Sequence, residues 1–326
     1  MSASGTRRRW IGVIPQTKEA GFVLMALAML LVPMNDVMSK LLTDRIQPVE
    51  IAFWRFLFQG VILLAVTVAL TGALPRRALA PGLALGGITS AATLVFLISA
   101  FTVMPIATAI SIFFVEPLIL TLLSAWILGE KTGWRRYLAV AVGLAGAVVV
   151  IRPSWSTFGV YAILPLGAAL AFALNMILIR RLAPRLSGLE IQCGMSFYAT
   201  LILGAGLTVG AGLGWFSWAA LAAHPGIWPY FTLMGALSGI SFLMIAEAFR
   251  RVPASVLAPF QYLEIIGATL MGYLVFGEFP DRLTWLGAAI ILASGFYVFH
   301  RERRQQARAM AQDVSAGSSE PGKRSE

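Results

Sequence analysis

Long apolar stretches alternate with short polar ones along this 326-residue chain. About 20 apolar residues cross a bilayer as a helix, which satisfies its own backbone hydrogen bonds where lipid offers no partner. The pattern therefore predicts ten helical spans, at residues 20–42, 48–71, 79–102, 106–128, 135–151, 159–179, 190–212, 227–249, 255–276 and 284–300.

The second half of this pattern repeats the first. A shift of 148 positions places the fourth and fifth spans on the ninth and tenth, with Glu116 over Glu264. A shift of 140 aligns the earlier spans, with Asn35 over Asn175. Each repeat holds five spans, and an odd number turns the second repeat upside down in the membrane. We predict an all-α polytopic membrane protein of ten transmembrane helices, built as two inverted-topology five-helix repeats, an architecture common in secondary transporters.

The repeats also divide the chain into segments. The sequence outside them is polar and charged at both ends, and the last residues are rich in Ser, Gly and Glu, which is typical of disorder. We expect a cytoplasmic N-terminal segment, two five-span repeats and a disordered cytoplasmic tail, at residues 1–19, 20–151, 159–300 and 301–326.

Composition and charge placement agree with a membrane protein. Apolar residues make up 58% of the chain and charged residues 12%, against about a quarter charged in soluble proteins. The net charge of +10 raises the possibility of nucleic-acid binding, but twenty basic residues lie in one set of loops and termini and four in the opposite loops. This asymmetry predicts both termini in the cytoplasm of a bacterial inner (cell) membrane, with the lipid bilayer as partner and no nucleic acid.

The sequence offers little for catalysis or metal binding. It contains one cysteine, Cys193, and two histidines, and these residues show no spacing typical of a metal site. We predict no catalytic residue, no metal and no cofactor, and hence no enzyme.

Two carboxylates stand out because an ionisable side chain near the bilayer centre is costly. Glu116 and Glu264 each lie about ten residues into a span that enters from the opposite side of the membrane. Three roles remain open for them: binding a cationic group, carrying a coupling proton, or hydrogen bonding a neighbouring helix. Further polar residues of the bundle complete the candidate site for substrate or coupling proton: Tyr262, Gln261, Asn35 and Asn175.

A second polar feature lies between the first two spans. Asp36 and Arg55 have matching depths on helices joined by a short loop, which predicts an intramembrane ion pair. A substrate site or gate is the alternative, and repeat two has methionines at the corresponding positions. Lys40 and Glu50 form a second, shallower candidate pair.

The first midplane carboxylate begins a stretch with the residues Glu116-Pro117-Leu118, Ser124-Ala125-Trp126-Ile127-Leu128-Gly129-Glu130, Gly143 and Gly146. This stretch resembles the end of an EamA domain. A less complete copy runs from Glu264 to Gly295, where Ile265 replaces a proline. The resemblance is to the ten-span carriers of the drug/metabolite transporter superfamily. Asn-Asp-x-x-x-Lys in span one and Phe-Trp-Arg in span two resemble the subgroup of S-adenosylmethionine and riboflavin carriers.

The resemblance implies a secondary active transporter that works by alternating access. It would move a small organic metabolite, such as a vitamin, an amino acid or a nucleoside-like compound, together with a coupling proton or in exchange for another solute. Spans one, three, four, six, eight and nine would line the cavity, which leaves Arg55 outside it. A multidrug or metabolite exporter of the same fold is the alternative, followed by a membrane-embedded enzyme or a channel. A homodimer is a candidate assembly.

Overall fold

The computed structural model describes residues 17–127, 134–182, 184–215, 225–252, 257, 260–297 and 300. These residues form helices and short connections, without a strand in the ranges given. The predicted tail at 301–326 and most of the N-terminal segment lie outside the described residues. The helices are α1 (Lys18–Thr43), α2 (Pro48–Thr71), α3 (Gly82–Phe101), α4 (Ile106–Phe113), α5 (Glu116–Ile127), α6 (Trp134–Phe158), α7 (Leu164–Leu182), α8 (Gly188–Gly212), α9 (Trp228–Arg251), α10 (Leu263–Phe276) and α11 (Arg282–Tyr297).

The helical prediction is confirmed. Seven apolar segments in the described ranges are long enough to cross a membrane, and three shorter apolar helices accompany them. The seven include one that joins α4 and α5, so the ten segments match the ten predicted spans. Single-turn helices precede α3, α7 and α9, at Arg76–Leu79, Gly159–Ile163 and Pro225–Ile227.

The fourth predicted span is continuous in the sequence pattern but broken in the structure. The α4 helix ends at Phe113 and α5 begins at Glu116, with a turn at Phe114 and Val115 between them. Pro117 explains the break, because it has no N–H to donate to the Phe113 carbonyl and its ring crowds the preceding turn. The break leaves Glu116 at the start of a new helix.

The bundle is held together by contacts between the two halves of the chain. The α1 helix packs chiefly on α9 and α10, α3 packs on α7 and α8, and α2 packs on α8 and α9. Glycine allows two of these approaches: a Cβ added to Gly87 would lie 2.5 Å from Tyr198 Cβ, and one added to Gly235 would lie 2.6 Å from Phe58 Cβ. The bundle has two ends. The start of α1 and the α2–α3 connection lie at one end, which we call the Arg76 end, and the end of α1 lies at the other, which we call the Lys40 end.

Candidate functional site

Two carboxylates mark the beginnings of helices inside the bundle. Glu116 lies in the first turn of α5, and Glu264 lies in the first turn of α10. The first turn of a helix carries free N–H groups and the positive end of the helix dipole, which favour a negative charge. Both helices therefore give an acid a favourable position within an otherwise apolar layer.

A third carboxylate joins them from α1. The Glu264 carboxylate interacts electrostatically with the carboxylates of both Asp36 and Glu116. Helix packing explains this proximity, because Gly267 on α10 approaches Pro33 on α1 so closely that an added Cβ would lie 2.8 Å from the proline Cγ. We call Asp36, Glu116 and Glu264 the carboxylate cluster. Asp36 and Glu116 are buried, at 3% and 8% exposed, and Glu264 is partly buried.

Aromatic rings line the carboxylate cluster on one side. Tyr262 lies in electrostatic range of Glu116, and its ring centroid is 5.7 Å from that of Phe114 and 6.0 Å from that of Phe296. A Cβ added to Gly295 would lie 2.5 Å from the Tyr262 hydroxyl oxygen, so this glycine leaves room for the tyrosine. Phe113 continues the row and contacts Phe172 at 5.6 Å between centroids. A row of aromatic rings therefore extends away from Tyr262 next to the cluster, and the face of an aromatic ring attracts cations.

The Asp36 and Arg55 side chains interact through space, but no direct ion pair joins them in the described part of the chain. Arg55 Nε instead donates to Ser238 Oγ at 3.0 Å, which draws the guanidinium towards α9. Among the residues that the structure describes, Asp36 Oδ2 and Arg55 Nη1 are buried without a hydrogen-bond partner. Among the described residues, Asp36 and Arg55 therefore interact at longer range than the predicted direct contact.

The two asparagines bind opposite helices in equivalent ways. With its amide oriented to fit its neighbours, Asn35 donates to the Met234 carbonyl at 3.1 Å and accepts from Ser238 N at 3.3 Å. Asn175 Nδ2 lies 2.9 Å from the Gly86 carbonyl oxygen and 2.8 Å from Ser90 Oγ, and it also reaches a threonine hydroxyl. These contacts use the hydrogen-bonding capacity of the asparagines for interhelical packing.

Gln261 immediately precedes Tyr262 on the connection into α10 and is partly buried. The structure therefore brings Glu116, Glu264 and Tyr262 together. It adds Asp36, which the sequence had assigned to an ion pair with Arg55. Asn35 and Asn175 lie instead at helix contacts.

The predicted pairing of Lys40 with Glu50 is wrong. Lys40 Nζ lies 2.7 Å from each carboxylate oxygen of Glu278, 238 residues away, and donates to the Met104 carbonyl at 3.0 Å. Glu50 is buried beside the Trp54 indole. The signal for Glu278 was the Gly-Glu dipeptide that follows the fourth and ninth apolar stretches alike.

A cavity of about 460 Å³ opens at the Arg76 end of the bundle. It lies between the α2–α3 connection and the start of α8, and none of its lining residues belongs to the carboxylate cluster. The cavity is therefore a depression at the ends of helices. No group of three or more His, Cys, Asp or Glu side chains in the described ranges is placed to hold a metal ion.

The chain belongs to the EamA-like transporter family, whose profile matches twice, at residues 19–152 and 158–299. The doubled match spans almost all of the predicted repeat region. Membership in this family and the apolar helices make this chain a multi-pass membrane transporter rather than an enzyme.

Curated relatives carry the names of several transporters. The S-adenosylmethionine uptake transporter of Rickettsia prowazekii (strain Madrid E) is 29% identical over 276 residues, which are 83% of this chain and 89% of the relative. The riboflavin transporter of Rhizobium johnstonii is 27% identical over 212 residues, 64% of this chain and 67% of the relative. The pseudopaline exporter CntI of Pseudomonas aeruginosa (strain UCBPP-PA14) is 27% identical over 277 residues, 85% and 94% of the two chains.

A solved structure described as "Crystal structure of protein" has the same fold. It superposes with a TM-score of 0.57 at 18% sequence identity, over 88% of this chain and 98% of the other. At this identity the likeness concerns the fold alone.

Proposed function

We propose that this chain is a secondary active transporter that moves a small organic metabolite with a cationic group by alternating access. The metabolite binds at the carboxylate cluster, between two inverted five-helix repeats at residues 20–151 and 159–300. The observation that carries this proposal is the convergence of Asp36, Glu116 and Glu264 from different helices beside the row of aromatic rings.

Equivalent contacts across the bundle support the inverted repeats. Asn35 binds Met234 and Ser238, and Asn175 binds residues exactly 148 positions before these two, namely Gly86 and Ser90. The two asparagines are themselves 140 positions apart. Each contact joins the first helix of one repeat to the third helix of the other, as an in-plane pseudo-two-fold axis requires.

The distribution of basic residues supports the orientation. The Arg76 end carries most of the lysines and arginines of the loops, whereas the Lys40 end carries few. Positive loops face the cytoplasm, so both termini lie inside a bacterial inner membrane and the Lys40 end faces outwards.

Charge balance supports a cationic substrate. The Asp36 carboxylate interacts electrostatically with the Arg55 guanidinium, which is also held by Ser238, and it lies close enough to Glu264 for the two acids to repel each other. Burying like charges together is costly unless a cation or proton compensates them. A cationic group in the cluster would supply the compensation, and the face of Tyr262 would add cation–π attraction worth about 0.5–2 kcal/mol.

The three relatives compared above differ in the compound that they are named for, so their names support an organic metabolite without selecting one. A coupling proton on Glu116 or Glu264 is the second role open to these acids. Export of a metabolite or drug is the alternative direction of transport. The relative that is named as an exporter supports this alternative.

The test is uptake by the purified full-length protein in liposomes. A panel of labelled metabolites should include cationic compounds and their uncharged isosteres, and we expect accumulation of a cationic member only. Glu264→Gln should remove this uptake, whereas Glu19→Gln, which changes an exposed acid at the start of α1, should leave it intact. Equal uptake of charged and uncharged isosteres would overturn the proposed substrate class.

A further inference from the structure

The Lys40 ammonium occupies a small cage at the Lys40 end of the bundle. Its Nζ lies 2.7 Å from both Glu278 oxygens, 3.0 Å from the Met104 carbonyl oxygen and 5.0 Å above the centre of the Phe276 ring. The Lys40 side chain is 12% exposed and that of Glu278 is 29% exposed. The cage is therefore mostly enclosed but open on the side of the glutamate.

The parts of this cage are fixed by backbone contacts that do not involve the lysine. Gly277 ends α10 with a φ of 68°, and the hydrogen bond from Glu278 N to the Gly272 carbonyl holds the glutamate beyond the helix. Met104 N donates to the Ala100 carbonyl at 3.0 Å. Glycine is favoured at such a helix end because it adopts a positive φ at little cost.

Nothing in the cage is specific for lysine. A carboxylate, a carbonyl oxygen and the face of an aromatic ring each attract a cation, and an organic ammonium suits the ring as well as a lysine does. Lys40 also lies one helical turn beyond Asp36 on α1, so both side chains share a face of that helix. The cage and the carboxylate cluster therefore lie one helical turn apart along the same face of α1.

We propose that Glu278, the Phe276 ring and the Met104 carbonyl form an outer binding site for organic cations. Lys40 fills this site in the present conformation, and the cationic group of the transported molecule takes its place when it arrives from outside. Displacing Lys40 also breaks the link between α1 and the end of α10, so occupation of the site and opening of the outer side are one event. The ligand class rests on the proposed function, but the site can be tested without transport.

The test replaces Lys40 by cysteine in the full-length chain, in a Cys193→Ser background, in intact cells. Two membrane-impermeant reagents of similar size, trimethylammonioethyl and sulfonatoethyl methanethiosulfonate, label the new thiol from outside. Their rates at Lys40→Cys are divided by their rates at Asp44→Cys, an exposed position at the end of the same helix. We expect the normalised rate of the cationic reagent to exceed that of the anionic one about tenfold, equal to about 1.4 kcal/mol.

Glu278→Gln in the same background should remove this preference, because it keeps the shape of the side chain and removes its charge. Choline should protect Lys40→Cys, whereas its uncharged carbon isostere, dimethylbutanol, should not. Equal normalised rates, a preference that survives Glu278→Gln, or no labelling at Lys40→Cys while Asp44→Cys reacts would each overturn the proposal.

If Lys40→Cys does not reach the membrane, Thr43→Cys retains the lysine and supplies a second readout. Choline should then displace Lys40 and speed labelling at Thr43→Cys, and an unchanged rate would overturn the proposal. Labelling requires no transport, so it tests the outer site separately from the proposed function. A cation preference in labelling without uptake of cationic metabolites would contradict the proposed function and still support the outer site.

Discussion

Asn35 on α1 and Asn175 on α7 make equivalent contacts with the other half of the chain. Asn35 reaches Met234 and Ser238 on α9, and Asn175 reaches Gly86 and Ser90 on α3. The correspondence extends to both partner positions of each asparagine. These contacts join the two halves of the chain, and the placement of both asparagines among the candidate substrate ligands stays a prediction.

We expect Asn175→Ala to destabilise the folded protein by about 1–3 kcal/mol, because it leaves buried polar groups of α3 without their partner. Thr93→Ala is the matched control, since the Thr93 hydroxyl donates to the Thr89 carbonyl of its own helix and to no other group in the described part of the chain. Chemical unfolding in detergent measures the free energy of unfolding of both variants. A loss at Asn175 no larger than that at Thr93 would show that the interhelical contact contributes little.

Glu264→Gln should reduce transport more than Glu116→Gln. Glu264 is in electrostatic range of both other carboxylates, whereas Glu116 is followed by Pro117 and begins a helix after a break. Both variants keep the shape of the side chain and should reach the membrane in near-normal amount. Transport against pH in reconstituted protein is the measurement, and unchanged rates and pH profiles in both variants would assign the carboxylates to helix packing.

Asp36→Asn and Arg55→Gln should each lower the yield of folded protein, and the double variant should recover part of the loss. A single replacement leaves one buried charge without its opposite, which costs more than removing both. The coupling should be modest, about 1 kcal/mol, because Ser238 and not Asp36 is the direct partner of Arg55. Strictly additive losses would show that the two charges act independently.

Reporter fusions test the orientation. Fusions after Arg45, Met104 and Glu278 should have periplasmic activity, and fusions after Leu74, after Arg185 and at the C-terminus should not, because basic loops remain in the cytoplasm. Periplasmic activity of the full-length C-terminal fusion would reverse the orientation, and with it the assignment of the Lys40 end to the outside.

The apolar pattern predicted the helices well, because a span must be apolar over about 20 residues whatever its neighbours are. The start of α2 at Pro48 and its end at Thr71 agree with the prediction. The break before Glu116 was missed because periodic hydrophobicity continues through it, although Pro117 was the available signal.

The candidate site was predictable only in part. The repeat identified Glu116 and Glu264 from sequence, since each carboxylate has its counterpart in the other half. The contribution of Asp36 and the pairing of Lys40 with Glu278 depend on which helices pack together. The Gly-Glu dipeptide draws attention to Glu278, but no local pattern shows that its partner lies 238 positions away. The prediction for Lys40 rested on residue depths along two neighbouring spans only. It therefore favoured Glu50, and not Glu278, as the partner of Lys40.

Counterflow in liposomes tests the central claim of a carrier with one alternating site most directly. Liposomes containing the full-length protein are loaded with an unlabelled cationic substrate and diluted into a trace of the same compound carrying a label. The account predicts transient accumulation of the label above its outside concentration, and loss of this accumulation in Glu264→Gln. Passive equilibration without overshoot, at the same rate in both proteins, would contradict it.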